Sequence, residues 1–282
     1  MVVIVLELGL WLFEESISKD IIHINSIDEI AKKKNDIIVL GNSLTRHGVD
    51  KVLFERIIKE RKSSVINIGY IYPDDTSIIE WYYILKSYFT DNQFIPSNVI
   101  INFAGNQLKT DIIKFEEIQR ISKYVPFIKL SFVLQKENLS LSETLDYFLS
   151  KCFRVYAYRE RLSKRILNIL PKYKEMIRYI NKSKKEDLNQ KLYSNYSHFN
   201  HIIKLADSLD FNLSFCAMPL PNSYPIDDYI LYSIDKSENC QLFDFKDSEI
   251  ILDNHYLDGY HLNKSGARLY TKEILNHLFN TR

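Results

Sequence analysis

Glycine is scarce in this chain of 282 residues, which holds seven. Positions that need a left-handed backbone or a close chain approach are therefore few, and each glycine is a pointer to one. Cysteine is scarcer. Cys152, Cys216 and Cys240 are far apart and odd in number, which argues against a disulfide framework and against a CxxC zinc site. An excess of charge of one sign is lacking too: 37 Lys and Arg against 36 Asp and Glu leave a formal net charge of +1. Nucleic-acid binding usually needs a global basic field, so no nucleic-acid partner is expected and any basic patch must be local. Long hydrophobic runs are missing. The apolar stretch VVIVLELGLWLF at 2–13 falls short of the roughly 20 residues that span a bilayer, and Glu7 interrupts it. Neither a GxGxxG nor a GxxxxGKS/T loop occurs, which disfavours nucleotide binding by a doubly wound sheet.

What is present describes a globular protein. Hydrophobic residues make up 46% and charged residues 26%, a composition that stocks a core and argues against disorder. The length fits one large α/β domain or a domain with a substantial insertion, since single cores stop growing near roughly 250–300 residues. Three readings of residues 2–13 stay open: a docking helix or strand, an interfacial anchor, or the tail of a membrane helix that starts upstream. A cleaved secretion signal does not fit, because no basic residue precedes the stretch and no small-residue cleavage site follows. Location follows the choice, cell envelope for an anchor remnant and cytoplasm otherwise.

Short runs rich in isoleucine and valine alternate with amphipathic stretches, the pattern of a parallel sheet covered by helices. Strands are predicted at 36–41, 64–69, 98–105, 212–219 and 240–245, with helices near 50–61 and 76–89 and a last one at 264–279. Between the third and fourth strands lie about 105 residues that read mostly as helix, too long for a plain crossover. The expected organisation is an N-terminal apolar docking segment at 1–35, then one α/β domain at 36–282 with a helical insertion at about 110–205. From Lys151 to Lys191 the insertion carries thirteen Lys or Arg against four Asp or Glu. A solvated helical face and contact with a membrane surface or anionic polymer are the two readings of that bias.

With the strands placed, the glycines gather. Gly41, Gly69 and Gly105 fall at predicted carboxyl ends of the first three strands, while Gly48, Gly259 and Gly266 lie in neighbouring turns. Open α/β sheets bind ligands at that edge. Ser43 sits in the turn after the first strand, and a serine needs a base to become a nucleophile. Among seven histidines, His23 and His277 are near the termini, His198 and His201 fall on a helix, and His47 is expected to turn away from Ser43. His255 and His261 remain, in the loop DNHYLDGYHLNKSGA at 253–267. Asp258 precedes His261 by three positions, close enough to orient its imidazole, so a Ser-His-Asp arrangement is available. A metal site from His255, Asp258 and His261 is the weaker reading, since no further ligand cluster accompanies it.

These residues resemble the SGNH hydrolase superfamily, the GDSL-type esterases and lipases. GNSL at 41–44 is similar to the first block, with Asn42 where the family more often has aspartate. NIGY at 67–70 resembles the second block, AGNQL at 104–108 the third with Ala104 in place of a glycine, and DGYH at 258–261 the fifth. The resemblance spans about 36–280 apart from the basic insertion. It implies a flavodoxin-like three-layer α/β/α sandwich with a five-stranded parallel sheet. It also implies Ser43, His261 and Asp258 as catalytic triad, and an oxyanion hole from the amides of Ser43 and Gly69 and the side chain of Asn106. No cofactor and no metal are implied.

The expected activity is serine ester hydrolysis through an acyl-enzyme, on O-acyl and above all O-acetyl esters of a small molecule or cell-surface glycan. Arg46 and His47, just past the nucleophile, are candidates for substrate contact. Two alternatives share the same residues or the same fold: a glycan O-acetyltransferase, and a non-catalytic SGNH-like scaffold in polysaccharide assembly.

Overall fold

The computed structural model describes residues 7, 9, 10, 12, 27, 29–62, 65–90, 95–109, 115–159, 162 and 195–280. The chain divides into two compact units, Ile22–Thr110 with Tyr196–Arg282, and Met1–Ile21 with Asp111–Asn195.

The first unit is a three-layer α/β/α sandwich on five parallel strands: β1 (Ile37–Leu40), β2 (Ile68–Ile71), β3 (Asn98–Phe103), β4 (Asn212–Ala217) and β5 (Cys240–Asp244). Their spatial order is β2-β1-β3-β4-β5, the flavodoxin-like order. Apolar runs rather than alternating ones form these strands because helices cover both faces: every residue of β1 is buried, as are Val99–Phe103 and Leu213–Ala217. The chain reverses direction across the sheet between β1 and β3. Open α/β sheets bind ligands at such a switch point, and the candidate nucleophile Ser43 follows the carboxyl end of β1 there.

Helices α1 (Ser43–Gly48) and α2 (Lys51–Arg61) follow β1 and pack against α10 (Lys264–Asn280). Asp50 caps α2 by accepting from the Leu53 amide at 3.1 Å, and its own N–H donates to Thr271 of α10 at 2.9 Å. Helix α3 (Ile78–Ile84), continued by a π-helical stretch at Leu85–Thr90, is buried on all sides and packs against α8 (Ser197–Leu209). Helix α9 (Asp228–Asp235) packs beside β5.

One strand departs from the sequence-based expectation. The second was placed at 64–69 with Gly69 at its end, yet β2 starts at Ile68 and continues through Tyr70 and Ile71. The apolar run goes on past the glycine, and Ile71 pairs with Leu40 at the far end of β1. Pro73, which has no N–H for a ladder, follows two residues later.

The described part of the second unit is helical: α4 (Phe115–Tyr124), α5 (Leu130–Glu137), α6 (Leu141–Cys152) and α7 (Arg154–Ala157). Ile118, Ile121, Tyr124, Val133 and Tyr147 are buried within it. A reciprocal capping box starts α6, with the Glu143 N–H donating to Ser140 Oγ at 3.3 Å and the Ser140 N–H to the Glu143 carboxylate at 2.7 Å. Helix α6 ends at Cys152, and the extended residue Phe153 separates it from α7. Glu7, the acid inside the apolar 2–13 stretch, accepts from the first amides of α7, Arg154 at 3.1 Å and Val155 at 2.8 Å. Of 2–13 only Glu7, Gly9, Leu10 and Leu12 are described, and of the basic segment 151–191 only 151–159 and Leu162; the rest of both lies outside the described residues. Among the described residues no helix is long and apolar enough to cross a membrane.

The turn after β1 leaves no room for a side chain at Gly41. A Cβ there would lie 1.9 Å from Thr45 Oγ1 and 3.1 Å from the Asn102 carbonyl oxygen. Gly41→Ala must push Thr45 off the sheet, so we expect it to destabilise by roughly 1–3 kcal/mol, read as a lower urea midpoint with an unchanged slope.

Candidate active site

The strand ends, and a helix starts, on one side chain. Asn42 is buried, its side-chain Oδ1 accepts from the Leu44 amide at 3.0 Å to cap α1, and its Nδ2 donates to the Thr76 carbonyl at 3.1 Å. An aspartate could cap equally but has no proton for Thr76, which gives a physical reason for asparagine here. Thr76 returns the bond: its Oγ1 donates to the Gly41 carbonyl at 3.1 Å, and Trp81 Nε1 donates to the same oxygen at 3.3 Å. The turn after β2 and the turn after β1 are thus sewn together, and Ser43 is the first residue of α1.

Ser43 Oγ lies 3.2 Å from His261 Nε2, and His261 Nδ1 lies 2.8 Å from Asp258 Oδ2. All three sequence-derived triad residues therefore converge, across 218 positions of chain. The other carboxylate oxygen of Asp258 accepts from the backbone N–H of Tyr260 at 3.2 Å and of His261 at 2.9 Å. These bonds stabilise the anion and bring its pKa down to about 2, the His261 amide first and the His261 side chain second. A carboxylate on Nδ1 fixes the tautomer that leaves Nε2 free to accept from the serine. The pair is open to solvent, with the His261 side chain 25% exposed and that of Asp258 51%.

The remaining candidates divide. Asn106 stands in the turn after β3, exposed, and its side-chain amide has no hydrogen-bond partner among the described residues. Gly105 before it takes φ +56°, a left-handed turn that glycine adopts without strain. Gly69 is a correction. It lies inside the sheet opposite Ile38, two residues short of the end of β2, and Ile30, Ile38 and Asn35 fill the space where its Cβ would be. The segment of the second crossover that bonds to the turn after β1 is Pro73–Thr76, through Thr76 to Gly41 and Asn42, and in it Asp75 takes φ +57°. Arg46 is held by Asp74 of that turn at 2.6 Å.

His47 does not turn away from Ser43 as expected. Its ring lies against His261, centroid to centroid 4.7 Å at 53°. The signal was present in the sequence, because positions 43 and 47 are four apart and share a helix face. Burial, then the neighbouring His261 and Arg46, hold the His47 pKa below its usual value, while Asp258 and Asp74 push the other way. His255 is no partner of Asp258: its Nδ1 accepts from the Leu252 amide at 3.0 Å within the loop. Among the described residues no group of three or more His, Cys, Asp or Glu side chains is placed to hold a metal ion.

No family model matches the chain, and no curated protein matches it. A similar solved structure is the lipase Lip_vut3 from a goat rumen metagenome, at 11% identity and TM-score 0.39 over 86% of this chain and 96% of that one. A likeness so loose adds nothing to the geometry above.

The depressed Asp258 pKa has a sign that can be measured. The folded value is the lower one, so the stabilisation from its bonds is complete above the ordinary carboxylate range and fades as pH falls from about 4 to about 2. In a carboxylate NMR titration Asp258 should change state near pH 2. His261→Ala removes the imidazole and keeps the amide, so the value should rise part of the way towards about 4.

Proposed function

We propose that the protein is a serine ester hydrolase of the SGNH type, acting on O-acyl esters, with O-acetyl groups of a glycan as the favoured substrate. The observation that carries this reading is the unbroken chain from Ser43 Oγ through His261 to Asp258, at 3.2 and 2.8 Å. His261 Nε2 takes the proton as Ser43 Oγ attacks the ester carbonyl, and Asp258 balances the imidazolium that forms. The Ser43 amide and the Asn106 side chain supply donors for the oxyanion. Collapse expels the alcohol, which takes its proton from His261 and leaves an acyl-serine. Water, deprotonated by the same imidazole, then releases the acid.

An acyl group on a polymer is favoured by how open the site is. Leu257 and Tyr260, on either side of Asp258, are each 66% exposed. Tyr260 offers a ring face beside the triad on which a sugar can stack, and an exposed dyad can reach an ester that projects from a long chain.

Turnover of p-nitrophenyl acetate and labelling by a fluorophosphonate test the chemistry. Ser43→Ala and His261→Ala should each abolish labelling and cut kcat by roughly 10³–10⁶, and Asn106→Ala should cost on the order of 10²–10³. A parent protein that neither labels nor turns over would overturn the reading. Acyl release to water, measured against transfer to an added glycan, separates hydrolase from transferase.

A further inference from the structure

His47 belongs to neither the triad nor the oxyanion donors, and it is the one residue of α1 besides Ser43 with a described contact to the His261 ring. The loop that carries His261 explains why such a contact matters. Asp258 and His261 sit three residues apart on one exposed turn, with Gly259 between them at φ +82°. The bonds of that turn stay within residues 254–263, and only Asn263 at its end joins it to α10, by accepting from the Ser265 and Gly266 amides at 3.0 and 3.1 Å. The Leu257 N–H donates to the His261 carbonyl at 2.7 Å, the Asn263 N–H to the His255 carbonyl at 2.8 Å, and Asn263 Nδ2 to the Asn254 carbonyl at 2.7 Å. Tyr256 and Leu262 close the neck by an antiparallel bridge. Asp258 therefore orients the imidazole within the loop, but it cannot fix where the loop stands relative to Ser43, because it moves with His261.

We infer that His47 is a positioning residue, the fixed wall that sets the His261 ring at reacting distance from Ser43. It rises from the serine's own helix one turn on, so its place relative to Ser43 is set by the helix itself. The 4.7 Å, 53° contact lies within the range of aromatic pairs that attract. The groups facing it are Arg46 from its own helix, Asp74 from the turn after β2, and Asp258 and His261 from the loop. Their sum with burial favours the uncharged ring. An uncharged neighbour does not oppose the positive charge that His261 acquires with the serine proton.

This assignment rests on the serine chemistry proposed above, and the test keeps the two apart. His47→Ala removes the wall, and His47→Phe restores a ring that cannot titrate. On p-nitrophenyl acetate, His47→Ala should lower kcat by about 10–100-fold with KM nearly unchanged, the scale of effect when a reacting group is displaced by about 1 Å. His47→Phe should return to within about threefold of the parent. Parent-like kcat in His47→Ala would overturn the inference, and so would a His47→Phe variant as impaired as His47→Ala. The second readout needs no turnover: the nuclear Overhauser contact between the His261 ring Hε1 and the Ser43 Hβ protons, identified by its loss in His261→Ala. It should be present in the parent and in His47→Phe and vanish in His47→Ala. Equal intensity in all three would sink the positioning role, whether or not the protein hydrolyses esters.

Discussion

The site depends on one buried amide. Asn42 both starts α1, by accepting from Leu44, and ties that start to the next crossover, by donating to Thr76. A buried amide that lost either bond would carry the full cost of an unpaired polar group, roughly 1–3 kcal/mol. The two turns therefore stand or fall together. Ser43 takes its position from that junction, as the next residue along, and His47 takes its own from Ser43 by helix pitch. Arg46, on the same short helix, reaches back to Asp74 and closes the junction a second time from outside.

Much of the fold was legible because burial on both faces leaves little choice of residue. The run at Ile37–Leu40 is apolar throughout, and those at Val99–Phe103 and Leu213–Ala217 are apolar but for Asn102 and Ser214, so each reads as a strand covered on both faces. The triad was legible for a different reason. Serine, aspartate and histidine each stood beside a glycine or in a loop where a core residue has no place, and a family pattern ordered them.

What escaped the sequence follows from the same physics. Gly69 was taken for a strand end because glycine so often marks one. Here it is a gap in the sheet surface that Ile30, Ile38 and Asn35 fill, and the strand runs on to Ile71, two residues before Pro73. His47 was set aside by counting along the chain, whereas its neighbourhood is decided by the 3.6-residue turn. Glu7 looked like a blemish in an apolar stretch. Its two hydrogen bonds go to backbone amides of a helix about 147 positions away, and no local pattern encodes such a partner.

The spacing of Asp258 and His261 has a consequence for how such a site can change. Acid and base are carried as one cassette on a single loop, which Asn263 joins to the start of α10, while the nucleophile belongs to α1 at the end of β1. A shift of the loop carries the carboxylate and the imidazole together, so the dyad moves without coming apart, and only its distance to the serine varies. Lineages can remodel what the loop presents to substrate, through Leu257 and Tyr260, without rebuilding the proton relay.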